Sequence, residues 1–171
     1  GDIILVEADE FDRTFLSLQP TLSIINNLDL EHLDCYESLS DLQSAFIQFA
    51  NSVPFYGLVS LCIDSENVRN IIKEIKRPII TFGTNKDASI RASDIKYNKF
   101  NTKFKLYHDN KFLSNISINT PGNHNVLNAL SAISIALELN INISLIKKVL
   151  EDYSGVRRRF ELKYKTSTGI K

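Results

Sequence analysis

LVSLCIDSENVRNIIKEIKRPIITF, residues 58–82, is the stretch that decides the fold. It opens on the apolar run from Leu58 to Ile63 and closes on a second, from Pro78 to Phe82. Short runs without polar alternation read as strands buried on both faces, the habit of parallel sheets. Between them, Asp64-Ser65 supplies a helix N-cap, and Val68, Ile71, Ile72 and Ile75 recur at helical spacing. Strand, helix and strand in so short a span is a parallel crossover unit.

Upstream the same grammar repeats. Ile3 to Val6 and Leu22 to Asn26 read as two further strands. Leu39, Leu42, Phe46, Phe49 and Val53 mark an amphipathic helix that Pro54 ends. The predicted class is α/β: a mostly parallel, doubly wound sheet flanked by helices. Downstream, residues 88–118 change texture. Ser89-Ile90-Arg91-Ala92, Phe104-Lys105-Leu106-Tyr107 and Ile116-Ser117-Ile118 alternate apolar with polar, and Asp109-Asn110 offers a turn. That predicts a small antiparallel sheet appended to the same domain, too small to carry a core alone. Pro121-Gly122 then breaks the chain before a helix over about 123–139, apolar nearly all round. Asn140 closes it, and a last helix spans 144–152.

Bulk properties narrow the functional classes. At 171 residues the chain fits one well-packed domain. Hydrophobic residues make up 43% and charged residues 23%, which argues against disorder. Net charge is zero, so no basic face points to a nucleic-acid partner. No apolar stretch reaches membrane-span length and no signal-peptide pattern leads the chain. Cys35 and Cys62 stand far apart, fitting neither a disulfide framework nor a metal-binding pair; reduced thiols suit a cytoplasmic protein. Gly1 leads straight into an apolar run and Lys171 ends a polar tract, so the expectation is a piece of a longer protein.

Chemistry concentrates at the ends of the apolar runs. Glu7-Ala8-Asp9-Glu10 follows the first, and Glu31-His32-Leu33-Asp34 follows the second. Ligands bind at the carboxyl ends of strands in open α/β sheets, and carboxylates with an imidazole there suit a hard cation carrying phosphate oxygens. Glu7, at the strand end, reads as a metal ligand. Asp9 and Asp12 read rather as acids favoured at a helix N-terminus. His32 is either a structural histidine or a ligand, with Asp34 placed to orient its ring.

Two further constellations follow. In Pro121-Gly122-Asn123-His124-Asn125-Val126-Leu127-Asn128-Ala129, Asn125 and Asn128 lie three apart on one helical face, with His124 near the helix start. Asn123 reads as a simple cap. Asn125 and Asn128 interrupt an apolar helix, and buried amides need partners, which favours a base or ribose as ligand while the helix N-terminus offers N–H groups to anions. In Gly155-Val156-Arg157-Arg158-Arg159-Phe160, three arginines could clamp phosphate oxygens, although Arg157 and Arg158 read better as a solvated turn.

VEADE at 6–10, NNLDLEHLD at 26–34, PGNHNVLNA at 121–129 and GVRRRF at 155–160, in that order, resemble the Mur ligase family. The resemblance covers essentially the whole chain, residues 1–171, as the family's central ATP-binding domain, with the UDP-binding N-terminal and the C-terminal domains outside this sequence. It implies ATP and magnesium as cofactors, with Glu7 a magnesium ligand and His32 near a second magnesium. It places Asn125 and Asn128 in the nucleotide site, His124 beside the adenine, and Arg159 on phosphate. The implied activity, in the intact protein, is ATP-dependent ligation of L-alanine to UDP-N-acetylmuramate through an acyl phosphate, in peptidoglycan biosynthesis of a bacterial cytoplasm. Two departures stand out. No G-x-x-G-K-[S/T] loop occurs here, although the family's central domain carries one upstream of its first strand. No lysine precedes Lys73, whereas some relatives use a carbamylated lysine shortly after the histidine; the alanine-adding branch is expected to dispense with it. Other readings of the same residues are a different amino acid ligase of this kind, a metal-dependent phosphoesterase, and a non-catalytic nucleotide-binding module.

Overall fold

The computed structural model describes residues 1–29, 35–153 and 155. Its centre is one six-stranded sheet in sequence order. The strands are β1 (Leu22–Ile25), β2 (Leu58–Cys62), β3 (Ile79–Gly83), β4 (Ile90–Tyr97), β5 (Thr102–His108) and β6 (Lys111–Ile118). β1 to β4 pair in parallel, and β4 to β6 are antiparallel. The small antiparallel sheet is therefore continuous with the parallel one. It joins through a short overlap, Phe82 with Ile90 and Gly83 with Arg91, so β4 begins where β3 ends.

Helices α1 (Leu39–Ser52), α2 (Glu66–Ile71), α3 (Asn123–Glu138) and α4 (Ile143–Asp152) flank the sheet. β2 shows why the winding is double. All five of its residues are buried. Val59 and Leu61 join Leu42, Phe49 and Ile71 of α1 and α2 in one core cluster. Cys62 joins Phe82 and the α3 residues Val126, Leu130 and Ile133 in a second. Between them, Ser60 faces α3 and its hydroxyl pairs with that of Ser134 at 2.6 Å, a buried polar contact that satisfies both groups.

Local chemistry sets the ends of the elements. Ser38 and Ser65 accept the N–H groups of Asp41 and Val68 and so start α1 and α2. Asp109 and Asn110 both take positive φ, as a tight hairpin of this hand requires. Asn140, at φ 58, ends α3 in the left-handed conformation. Asn123 does not cap α3, as its position suggested. Gly122 holds the cap with φ 97, and Asn123 is already helical, its Oδ1 accepting from the Tyr97 hydroxyl at 3.1 Å.

The first apolar run corrects the sequence reading more deeply. Ile3 to Val6 form no strand and lie between 57% and 93% exposed. A parallel strand needs a hydrogen-bonding neighbour and cover on both faces. Among the described residues β1 is the edge of the sheet, so the run has neither. Ile24 of β1 is itself 37% exposed, because α3 packs on β2, β3 and β4.

Candidate nucleotide and metal site

β6 runs in the same direction as β1 to β4, so the chain leaves it on the carboxyl-end side of the sheet. From there α3 crosses back over β4, β3 and β2. Its first turn is thus presented beyond the carboxyl ends of the strands, and the Tyr97–Asn123 bond fastens that turn to the end of β4. Gly122 makes the approach possible. A side chain there would be strained at φ 97, and its Cβ would come 2.9 Å from Cε1 of His124, whose ring folds back over the glycine.

Along this turn the polar side chains divide. Val126, Ala129 and Leu130 are buried against the sheet, whereas His124 and Asn128 are exposed. Asn125 is half-buried, and its amide nitrogen donates to the carbonyl of Pro121 at 2.6 Å. One end of this amide thus has a partner within the chain, where it closes the Pro-Gly break. His124 and Asn128 are exposed one helical turn apart, and the first turn of a helix leaves N–H groups without partners inside the helix.

The acidic segment 7–12 reaches the same side of the sheet by another route. Glu7 is exposed, with no hydrogen-bond or ion-pair partner among the described residues. Asp9 accepts the N–H of Phe11 at 2.9 Å, and Asp12 accepts that of Thr14 at 3.1 Å. Those bonds to Thr14 hold the Asp12 carboxyl below its ordinary pKa. Asp9 and Asp12 are therefore engaged in shaping turns ahead of the short 3-10 helix Thr14–Ser17, in line with a structural role. The loop after β1, which leads to α1, holds this segment. The Tyr36 hydroxyl donates to the Glu10 carbonyl at 2.7 Å, and the Arg13 guanidinium donates to the Cys35 carbonyl and to Asp41. Burial raises the Tyr36 pKa above its ordinary value. The hydrogen bond from Arg13 lowers that of Asp41.

Glu31, His32, Asp34 and Arg157, Arg158 and Arg159 lie outside the described residues. Among the described residues no group of three metal-ligating side chains forms. Glu7 is exposed and makes no hydrogen bond or ion pair among the described residues, which suits a hard cation that takes oxygen ligands and keeps several waters.

The sequence reading passed over a second carboxylate. Asp64 was expected only beside a cap, yet it receives the N–H groups of Thr84 and Asn85, each at 3.0 Å, and the Thr84 hydroxyl at 2.6 Å. It clamps the carboxyl ends of β2 and β3 together. Gly83 is required there, since a Cβ would meet Asp64 Oδ1 at 2.2 Å.

Residues 3–136 match the Mur ligase middle domain. The chain belongs to the Mur ligase family. Over 99% of its length it is 47% identical to the UDP-N-acetylmuramate–L-alanine ligase of Persephonella marina. It is 45% identical over the same share to the ligase of that name from Chlorobium phaeobacteroides. In each case it spans 36% of the relative, about a third of the length. Among solved Mur ligase structures, UDP-N-acetylmuramate-alanine ligase MurC from Thermotoga maritima superposes with a TM-score of 0.80 at 26% identity, covering 94% of this chain and 35% of that one. MurF from Acinetobacter baumannii superposes with a TM-score of 0.78 at 24% identity, with coverages of 94% and 35%, a likeness of fold.

Proposed function

We propose that this chain is the central, ATP-binding part of a ligase that joins L-alanine to UDP-N-acetylmuramate. The observation that carries the reading is the first turn of α3: a helix N-terminus raised on Gly122 beyond the carboxyl ends of the strands, with His124 and Asn128 exposed along it. The 47% identity to a ligase of that name, held over nearly the whole chain, supports the branch.

The chain's own residues have distinct tasks. His124 and Asn128 present a ring and an amide to the adenine and ribose, while Asn125 spends its nitrogen on Pro121 and keeps its carbonyl oxygen for a donor. N–H groups at the head of α3 favour negative charge nearby. Glu7 would offer oxygens to one magnesium, His32 would lie near a second, and Arg159 would contact phosphate; the last two assignments extend the reading to residues outside the described ones. Magnesium, when bound, screens the repulsion between an anionic carboxylate and an anionic phosphate as the acyl phosphate forms. The amine of L-alanine then displaces phosphate from that acyl group.

A phosphoesterase would have little use for His124 and Asn128 at the head of α3. The test is ADP release by the full-length protein given UDP-N-acetylmuramate, magnesium ATP and one amino acid at a time. Turnover with L-alanine well above glycine or L-serine is the expected result. Absence of amino-acid-dependent ADP release would sink the ligase reading, and turnover without preference for L-alanine would refute the branch.

A further inference from the structure

The acidic segment is joined to the body of the fold by a cation that the sequence did not single out. Arg13 sits in the left-handed region at φ 61. Its Nε and Nη2 donate to the Cys35 carbonyl at 3.2 and 3.0 Å, Nη2 also pairs with Asp41, and the guanidinium stacks 4.6 Å from the centroid of the Tyr36 ring. Tyr36, only 2% exposed, reaches back to the Glu10 carbonyl. Asp41 accepts the N–H of Glu37 as well, and lies in the first turn of α1. Contacts thus run in both directions between residues 10–13 and residues 35–41.

Stability is a poor explanation for this arrangement. The Arg13 and Asp41 side chains are 39% and 30% exposed, and exposed ion pairs contribute roughly 0–1 kcal/mol. The apolar anchor of the segment is Phe15, packed at 5.3 and 5.2 Å from the rings of Phe46 and Phe49. What the latch adds is direction: a planar fork, a stacked ring and a hydroxyl together restrict the orientation of the turn upstream.

We propose that Arg13 is a positioning residue, which with Tyr36 and Asp41 locks the Glu10–Arg13 turn, three residues beyond Glu7, to the β1–α1 loop and so sets the direction from which the Glu7 oxygens meet a divalent cation. This rests on the ligase reading above, in which Glu7 takes magnesium. Lysine would restore the charge opposite Asp41 but neither the fork to Cys35 nor the stack on Tyr36. Phenylalanine at 36 would keep the stack and lose the bond to Glu10.

Two readouts on the full-length protein test it. The first is hydrogen exchange at the amides of Arg13, Leu16 and Leu18, which bond to the carbonyls of Glu10, Arg13 and Phe15. The second is the magnesium chloride concentration that half-saturates thermal stabilisation at fixed ADP. Arg13→Ala should speed exchange at these amides and raise the magnesium midpoint about tenfold, the usual scale for losing a group that orients a metal ligand. Arg13→Lys should recover less than half of that shift, and Tyr36→Phe should raise the midpoint by about fivefold, the equivalent of one lost hydrogen bond. The two milder variants carry the test if Arg13→Ala does not fold. Faster exchange with an unchanged magnesium midpoint would leave only a structural role and overturn the proposal, as would no change in either. A wild-type protein indifferent to magnesium would overturn the ligase reading and this proposal with it, while the exchange result still reports separately whether the latch holds the turn.

Discussion

Leu58–Cys62 and Ile3–Val6 are apolar runs of nearly the same character, yet the first is buried throughout and the second lies open to solvent. β2 has strands on both sides and helices on both faces, so each of its residues finds cover. The earlier run has no such neighbours among the described residues. The same contrast separates the two parts of the candidate site. The head of α3 stands on a packed helix whose inner face is core, whereas Glu7 lies in an exposed, irregular stretch ahead of the Glu10–Arg13 turn, which Arg13 and Tyr36 hold by polar contacts. Burial is thus a property of the neighbourhood, and an apolar run states only a demand for one.

The sharpest way to break this comparison is truncation of one leucine on each side. Leu130→Ala, at a fully buried α3 position, should cost about 2–5 kcal/mol in denaturant unfolding. Leu5→Ala, at a position 93% exposed, should change stability in this chain by less than about 0.5 kcal/mol. A cost of several kcal/mol at Leu5 would mean that the run is covered after all.

A step smaller, Gly122→Ala tests whether the head of α3 depends on its backbone. The φ of 97 should cost about 1–3 kcal/mol, whereas the contact with His124 is relieved by rotating that ring. A neutral result would show that the turn is as adaptable as the Glu7 segment.

Ser134→Ala sharpens the comparison inside the core. It strands the Ser60 hydroxyl between β2 and α3, at about 1–2 kcal/mol, and adding Ser60→Ala should return part of that loss. Strictly additive losses would mean that the two hydroxyls are not a pair.

The smallest effect belongs to the latch. Arg13 lowers the Asp41 pKa from its ordinary 3.8, so the ionised pair contributes at neutral pH and above, and its contribution fades as pH falls through the lowered folded value. Thermal midpoints measured from pH 5 downward should therefore fall less steeply in Asp41→Asn than in the native chain. Equal slopes would detach Asp41 from Arg13.

Where burial follows from pattern, the chain was readable. Val68 and Ile71 at helical spacing behind Ser65 became α2, and the Asp109-Asn110 pair became the β5–β6 hairpin. At the candidate site the residue types were readable but their partners were not. Asn125 looked like an amide in need of a ligand, yet the Pro121 carbonyl that takes its nitrogen is visible only once the helix starts at Gly122. Arg13 and Tyr36 carry no local signal, because their meeting depends on two segments brought together by the fold. Asp64 was masked by the cap next to it, its bonds to Thr84 and Asn85 arising only when β2 and β3 lie side by side.

By itself the sequence determined the α/β class, the order of the crossover units and the family, because periodicity and short motifs act within a few residues of one another. Tertiary structure alone decided that β4 prolongs the sheet beyond β3, that Ile3–Val6 finds no cover among the described residues, and that a latch from Arg13 to Tyr36 and Asp41 holds the acidic turn. Those outcomes rest on contacts between distant segments, and such contacts form only where the whole chain supplies a neighbour for each exposed edge and polar group.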